Sequence, residues 1–413
     1  VLSAYRVLDL TTERGLLCGQ ILGDLGADVI KIEPPGGSPA RRLGPFYQDQ
    51  PHPDRSLLWW AYNRNKRSIT LDITTNEGKE LLRRLVATAH FLLESDNPGV
   101  MAQLGLGYHE LASINPELIY VSISAFGQDG PKANYADSDL VILAASGPLI
   151  LYGDSDRAPL RLSVPQAYLH ACLEGAIAAL LANHERHRSG LGQYIDVSAQ
   201  QAVALATQAY ILAAPYGEAE IQRMAGGVKI GPLNIRLLWP AKDGYVAITY
   251  LFGTAFGHFT KRLMDWIYEE GMCDEATHNM DWVRFGGELF AGGDALATFE
   301  RLKLIVEDFT KTKTKAELLQ GALQRTLLIA PVSTIDEVVN SPQLAARNYW
   351  QEMTHPELGQ TFKYPGPFVK FSETPIVYRR RPPLVGEHNQ EIFVGELGLT
   401  EQRVTELQRK GVI

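Results

Sequence analysis

The sequence predicts an α/β fold, a parallel sheet covered by helices, and three observations carry that prediction. Strand-like apolar runs alternate with stretches of helical spacing from Tyr5 to Ser124. The same alternation returns after Pro331. No internal repeat or low-complexity tract interrupts the chain.

The elements follow in order. Tyr5–Leu10 reads as a first strand, Leu16–Leu25 as a helix and Ala27–Glu33 as a second strand stopped by Pro34-Pro35-Gly36-Gly37, a βαβ opening. Ser68–Ile73 alternates like a strand, Asn76–Thr88 has helical spacing with Asn76 as its N-cap, and Ile119–Ser124 reads as a further strand. Pro165–Arg186 has few breakers and predicts a long buried helix, ended at Ser189-Gly190-Leu191-Gly192 before a strand over Gln193–Ser198. The middle of the chain is richer in Gly, Met and aromatic residues and less periodic. The expected organisation is therefore a large domain opening over 1–216, a small domain over 217–325 and a return to the large domain over 326–413, with a last helix near Glu401–Arg409.

Composition narrows the function. With 45% hydrophobic and 21% charged residues the 413-residue chain is ordinary for a globular protein, and a formal charge of −8 argues against a nucleic-acid partner, which requires clustered Lys and Arg. Three cysteines, Cys18, Cys172 and Cys273, lack the spacing of a metal clamp or disulfide framework, so no metal is expected and a reducing compartment is. The apolar run Leu140–Tyr152 is too short to span a bilayer and is broken by Gly147-Pro148, and no secretion signal is evident. A cytoplasmic location without a membrane partner is the expectation.

Several phrases, in order, resemble the family III CoA-transferases, the group of formyl-CoA transferase, carnitine and benzylsuccinate CoA-transferases and 2-methylacyl-CoA racemases. They are Leu25-Gly-Ala-Asp-Val-Ile-Lys-Ile-Glu33, Asn63-Arg-Asn-Lys-Arg-Ser-Ile69, Ser124-Ala-Phe-Gly-Gln-Asp-Gly-Pro131 and Gly190-Leu-Gly-Gln193. Downstream, Ala330-Pro-Val-Ser-Thr-Ile-Asp-Glu-Val338, Pro342-Gln-Leu344, His355-Pro-Glu-Leu-Gly359, Pro365-Gly-Pro367 and Gly411-Val-Ile413 continue the match. The resemblance implies a Rossmann-like large domain built from both chain ends, a small middle domain and an interlocked dimer of identical or different chains. It also implies coenzyme A thioesters as substrates. In such enzymes an aspartate at the start of the long helix attacks an acyl-CoA, forms a mixed anhydride and then carries CoA as an aspartyl thioester.

That aspartate is missing here. Counting back from Gly190, the matching position is Tyr168, and a shift by three residues gives Pro165 instead. A phenol, with an ordinary pKa near 10, cannot take the carboxylate's place. Asp154, Asp156 and Glu174 remain open as displaced nucleophiles. Where relatives carry Asn-Phe-Arg-Pro-Gly this chain has Ser95-Asp96-Asn97-Pro98-Gly99, and Gln103 stands in place of an expected Arg, so two phosphate partners are lost and Asp96 adds negative charge. The racemase His position is Ser138, followed by Asp139, which reads as structural. The only candidate for a glycine-rich cover loop is Ala225-Gly-Gly-Val228.

On the CoA side, the resemblance assigns Arg41, Lys66, Arg67, Leu71, Thr74, Asn97, Ala125 and Phe126. Arg41 reads equally well as a solvated surface residue, Lys66-Arg67 as a pair holding a linker to its strand, and the turn at Ala125-Phe126 as a plain strand-to-loop turn. The reading that follows is a non-catalytic subunit whose homologous partner supplies the aspartate, moving CoA between succinyl-CoA and a carboxylic acid in a two-subunit arrangement of the benzylsuccinate kind. The alternatives are an active homodimer with a displaced carboxylate, and a non-enzymatic acyl-CoA-binding scaffold.

Overall fold

A computed structural model describes residues 1–216, 223–230 and 233–413. These fall into two compact units, one of Val1–Pro148, Leu162–Ile211 and Gln343–Ile413, the other of Leu149–Arg161 and Leu212–Pro342. The segment boundary expected at Gly217 lies outside the described residues.

The first unit is built on a six-stranded sheet of β1 (Arg6–Asp9), β2 (Asp28–Glu33), β3 (Lys66–Thr70), β4 (Phe91–Glu94), β5 (Ile119–Ser124) and β6 (Tyr194–Ser198). All neighbours are parallel, in the order β3-β2-β1-β4-β5-β6. Leu8 lies between Ile30 and Leu92. Parallel strands buried on both faces read as continuous apolar runs, which is why Val29-Ile30 and Phe91-Leu92-Leu93 do not alternate.

One face is covered by the helices Leu16–Asp24 and Ala167–Ser189. Small residues let the long helix approach closely. A Cβ on Gly175 would stand 3.4 Å from both Cys18 Sγ and Ile123 Cδ1. The helix ends where Gly190 turns left-handed at φ 73°, and its N–H closes on the Arg186 carbonyl. The other face carries Leu81, Leu82 and Leu85 of the helix Asn76–Val86 together with Met101, Ile392, Phe393, Val404 and Leu407, so the end of the chain completes the same core as its beginning. Asp72 N–H donates to the Val412 carbonyl at 2.7 Å.

Two boundaries differ from the sequence reading. Thr75, not Asn76, caps the helix, its Oγ1 accepting from Gly78 N–H at 3.0 Å, because Asn76 is already the first helical residue. β3 starts at Lys66, two residues early, because its first two side chains are buried cations whose partners replace apolar packing.

The second unit has an antiparallel sheet of Leu238–Ala241, Gly244–Ile248 and Ile329–Pro331, a ribbon of Gly227–Ile230 with Leu233–Arg236, and the helices Gly257–Glu269, Asp294–Lys311 and Lys315–Arg325. Its core is aromatic, with Trp239, Tyr250, Trp266, Phe299 and Phe309 buried. Gly226 takes φ +65° at the turn before the ribbon, and its carbonyl accepts from Leu237 and Leu238 N–H. Among the described residues, no helix is long and apolar enough to cross a membrane.

Candidate functional site

In an open parallel sheet the ligand crevice lies past the carboxyl ends of the strands, where the strand order reverses. Here that point separates β1 from β4, which lead into the loops Thr11–Gly15 and Ser95–Gly99. Polar bonds tie the two loops together. Thr12 N–H donates to Ser95 Oγ at 2.8 Å, and Arg14 Nη1 donates to Asn97 Oδ1 at 2.9 Å.

Beneath the loops lies a buried ionic hub. Asp9, at the end of β1, accepts from Lys31 Nζ at 3.1 Å through one oxygen and from Lys66 Nζ at 2.8 Å through the other. Lys66 Nζ also donates to the Leu16 carbonyl and Asn63 Oδ1, and Lys31 Nζ to the Asp9 and Thr11 carbonyls. Burial alone would raise the Asp9 carboxyl, but the two lysines outweigh it and hold it at about 2. Burial likewise lowers Lys66 against the opposing pull of Asp9. Gly19 is required beside this hub, since a Cβ there would lie 2.2 Å from Asp9 Oδ2.

Tyr168, in the first turn of the long helix, lines a cavity of about 350 Å³. Its hydroxyl donates to Asp137 Oδ1 at 2.7 Å, and Arg14 Nη2 donates to Asp137 Oδ2 at 2.9 Å. The Arg14 guanidinium stands 5.8 Å from the Tyr168 ring. Burial, then the bond to Asp137, pushes the phenol far above its ordinary pKa. Asp139 fixes the start of the helix, Oδ1 accepting from Gln166 and Ala167 N–H at 2.6 and 2.8 Å. Ser138 Oγ caps its own short helix by accepting from Val141 N–H. Glu13, Asp137 and Asp139 put three carboxyls around this cavity, while Leu16, Leu43, Leu58, Val164 and Leu169 make its apolar wall. Cys172 also lines it, its thiol pushed up to about 12 by burial and so a poor nucleophile.

The CoA-side candidates divide into two groups. The cations face inward. Arg41 is fully buried, its Nε and Nη2 on Glu33 at 2.6 and 2.8 Å, its Nη1 on Asp54 at 2.8 Å and its guanidinium 3.7 Å from the Trp59 ring. This is not a solvated surface arginine. Arg67 bridges Asp28 to Glu391 and Glu396, tying β3 to β2 and to the chain end. The second group sits in loops at the carboxyl edge of the sheet. Leu71 is buried, Thr74 is exposed with Oγ1 on Asp72 at 2.6 Å, Asn97 is exposed beside Arg14, Ala125 is buried and Phe126 half-buried. Asp96 is raised by burial, against the pull of Arg14 and Lys31.

Of the carboxylates left open by the sequence, Glu174 lines a separate hollow with Asp196 and Gln201. Six residues of helix separate it from Tyr168 and turn it to another face. Asp154 and Asp156 belong to the second unit, where Asp154 accepts from Ala225 N–H and Asp156 pairs with Arg157. Sequence reasoning missed Arg14 and passed over Asp137. The signal for Arg14 was its place one short loop past the first strand.

The profile of CoA-transferase family III matches residues 2–389. The chain belongs to that family. It is 34% identical over 413 residues to succinyl-CoA:(R)-benzylsuccinate CoA-transferase subunit BbsE of Thauera aromatica, covering 100% of this chain and 98% of that one. It is 32% identical to a succinyl-CoA–D-citramalate CoA-transferase of Chloroflexus aurantiacus, covering 100% and 98%. A CAIB/BAIF family crystal structure from Brucella suis superposes with a TM-score of 0.79 at 30% identity, covering 95% of this chain and 98% of that chain.

Proposed function

We propose that this chain is the non-catalytic subunit of a family III CoA-transferase that moves CoA from succinyl-CoA to a carboxylic acid such as benzylsuccinate. The observation that carries the reading is the bonding of Tyr168. Its hydroxyl is held by Asp137 and Asp137 is paired with Arg14, so a phenol engaged in its own hydrogen bond, not a carboxylate, stands on the first turn of the long helix where the resemblance expects the nucleophile. A homologous partner subunit would supply the aspartate. The naming of BbsE as a subunit supports a two-chain enzyme. So does an exposed apolar stripe on the long helix, Leu173, Ile177 and Leu181, spaced so that all three share one face suited to an interlocked partner. The loops bearing Leu71, Thr74, Asn97, Ala125 and Phe126 would border CoA, while Arg41, Lys66 and Arg67 would hold the scaffold beneath them.

A second reading makes Asp137 itself a displaced nucleophile, since it lines the Tyr168 cavity. Intact-mass analysis separates the two. After incubation with succinyl-CoA and trapping of acyl-enzyme by hydroxylamine or borohydride, the silent-subunit reading expects modification of a co-expressed partner alone. Modification of this chain in isolation would overturn it and locate the nucleophile.

A further inference from the structure

A second cavity, of about 300 Å³, opens on the opposite face of the sheet from the long helix, over β4, β5 and β6. Its walls are chemically unlike those of the Tyr168 cavity. Tyr108, Tyr120 and Tyr194 form a triangle with ring centroids 5.7 to 6.2 Å apart, and Met101 adds to the apolar lining. At its inner end stands Glu94, the last residue of β4 and only 3% exposed. Glu94 Oε2 accepts from Asp96 N–H at 2.7 Å. Gln128 closes the rim, its Nε2 donating to Ser122 Oγ at 2.7 Å and its N–H to Asp196 Oδ2 at 2.9 Å.

The charge at the inner wall is acidic. Asp96 and Asp196 act on Glu94, and Glu94, Asp96 and Glu110 act on Tyr120, while at the rim Arg14 holds Asn97 and, with Lys31, acts on Asp96, and His109 joins the lining. Burial, reinforced by those two aspartates, pushes the Glu94 carboxyl up to about 7. Asn97, on the loop that would border CoA, marks the outer rim of this cavity, and deeper in, beside Glu94, a second carboxylate or a phosphate is disfavoured by the acidic groups already there. Among the described residues no group of three His, Cys, Asp or Glu converges as a metal site. Aromatic faces beside a buried carboxyl instead suit an organic cation, which gains from the ring quadrupoles and supplies the missing countercharge.

We propose that this cavity binds a small organic cation, an alkylammonium group held against the three tyrosine rings and the Glu94 carboxylate. An amine without a carboxylate of its own is the matching class, because a zwitterion would bring its anion against Asp96 and Asp196.

The test is a titration of the full chain with tetramethylammonium chloride at constant ionic strength, followed by calorimetry, with sodium chloride as the control. Saturable binding is expected, weakening about tenfold as the pH falls from about 8 to about 6, since the ionised carboxylate binds and the fraction ionised drops by that factor around pKa 7. Asp96, Asp196, Glu110, Asp129 and His109 are the other titratable groups near the cavity, and Glu94→Gln is expected to remove most of the pH dependence and weaken binding about tenfold. Tyr194→Leu, at a partly exposed position that tolerates change, is expected to weaken binding comparably even if Glu94→Gln fails to fold. Absence of saturable binding beyond the sodium control, or binding retained at full strength in a folded variant of either kind, would overturn the proposal.

Discussion

Tyr168 is held by a short chain of polar groups, first Asp137 and then Arg14. Tyr168→Phe deletes only the hydroxyl that donates to Asp137, and Arg14 still neutralises that carboxylate. The expected cost is about 1 kcal/mol in urea unfolding, with CoA transfer by the assembled enzyme unchanged. Asp9→Asn is expected to be far more damaging, roughly 3–5 kcal/mol, because it strands Lys31 and Lys66 buried without their counter-ion. The pH dependence has a definite sign. The Asp9 carboxyl is depressed in the fold from 3.8 to about 2, so its stabilisation is complete above the higher value and fades as the pH drops toward the lower. A wild-type unfolding series through that window should show the decline, and Asp9→Asn should flatten it. The cations were visible in the sequence as candidates for phosphate. Their carboxylate partners were not, because Asp9 lies 57 residues from Lys66 and Asp28 lies 39 from Arg67, separations that only strand pairing brings together.

Elements with a plain apolar rhythm were the most legible. Leu16–Asp24, the strands on either side of it and Glu401–Arg409 lie within a residue or two of where the pattern put them. β3 was harder, because buried ion pairs at Lys66 and Arg67 look like surface in a hydropathy pattern. The long helix starts at Ala167, two residues after the expected Pro165, but its cap comes from Asp139, far upstream, which no local residue announces. Asp139→Ala should remove both bonds to the first turn and cost about 1 kcal/mol, read as a lower melting temperature with the rest of the fold intact.

At the scale of the whole molecule, the match of sequence phrases along the chain pointed to the family, and the parallel sheet followed from alternating elements. The two units cut the chain differently from a composition-based reading. Leu149–Arg161 joins the second unit through bonds such as Arg223 Nε to the Asp154 carbonyl at 2.8 Å, a tertiary fact that no compositional change marks. The apolar stripe of the long helix is where assembly can be tested. Ile177→Asp leaves a position already exposed in the isolated chain, so the variant should fold with near-normal stability yet fail to co-purify with a catalytic partner, as read by size-exclusion chromatography with light scattering.

The Arg14–Asp137 pair also limits what an acid at position 168 could do. An acid at position 168 would set a second carboxylate beside Asp137, whose guanidinium partner Arg14 is already engaged. Removing Asp137 first would leave Arg14 without its counter-ion and Tyr168 without its acceptor. On the silent-subunit proposal the site is thus buffered against single changes: Tyr168→Asp alone is expected to remain unlabelled by succinyl-CoA, and only its combination with Asp137→Ser to give a labelled nucleophile.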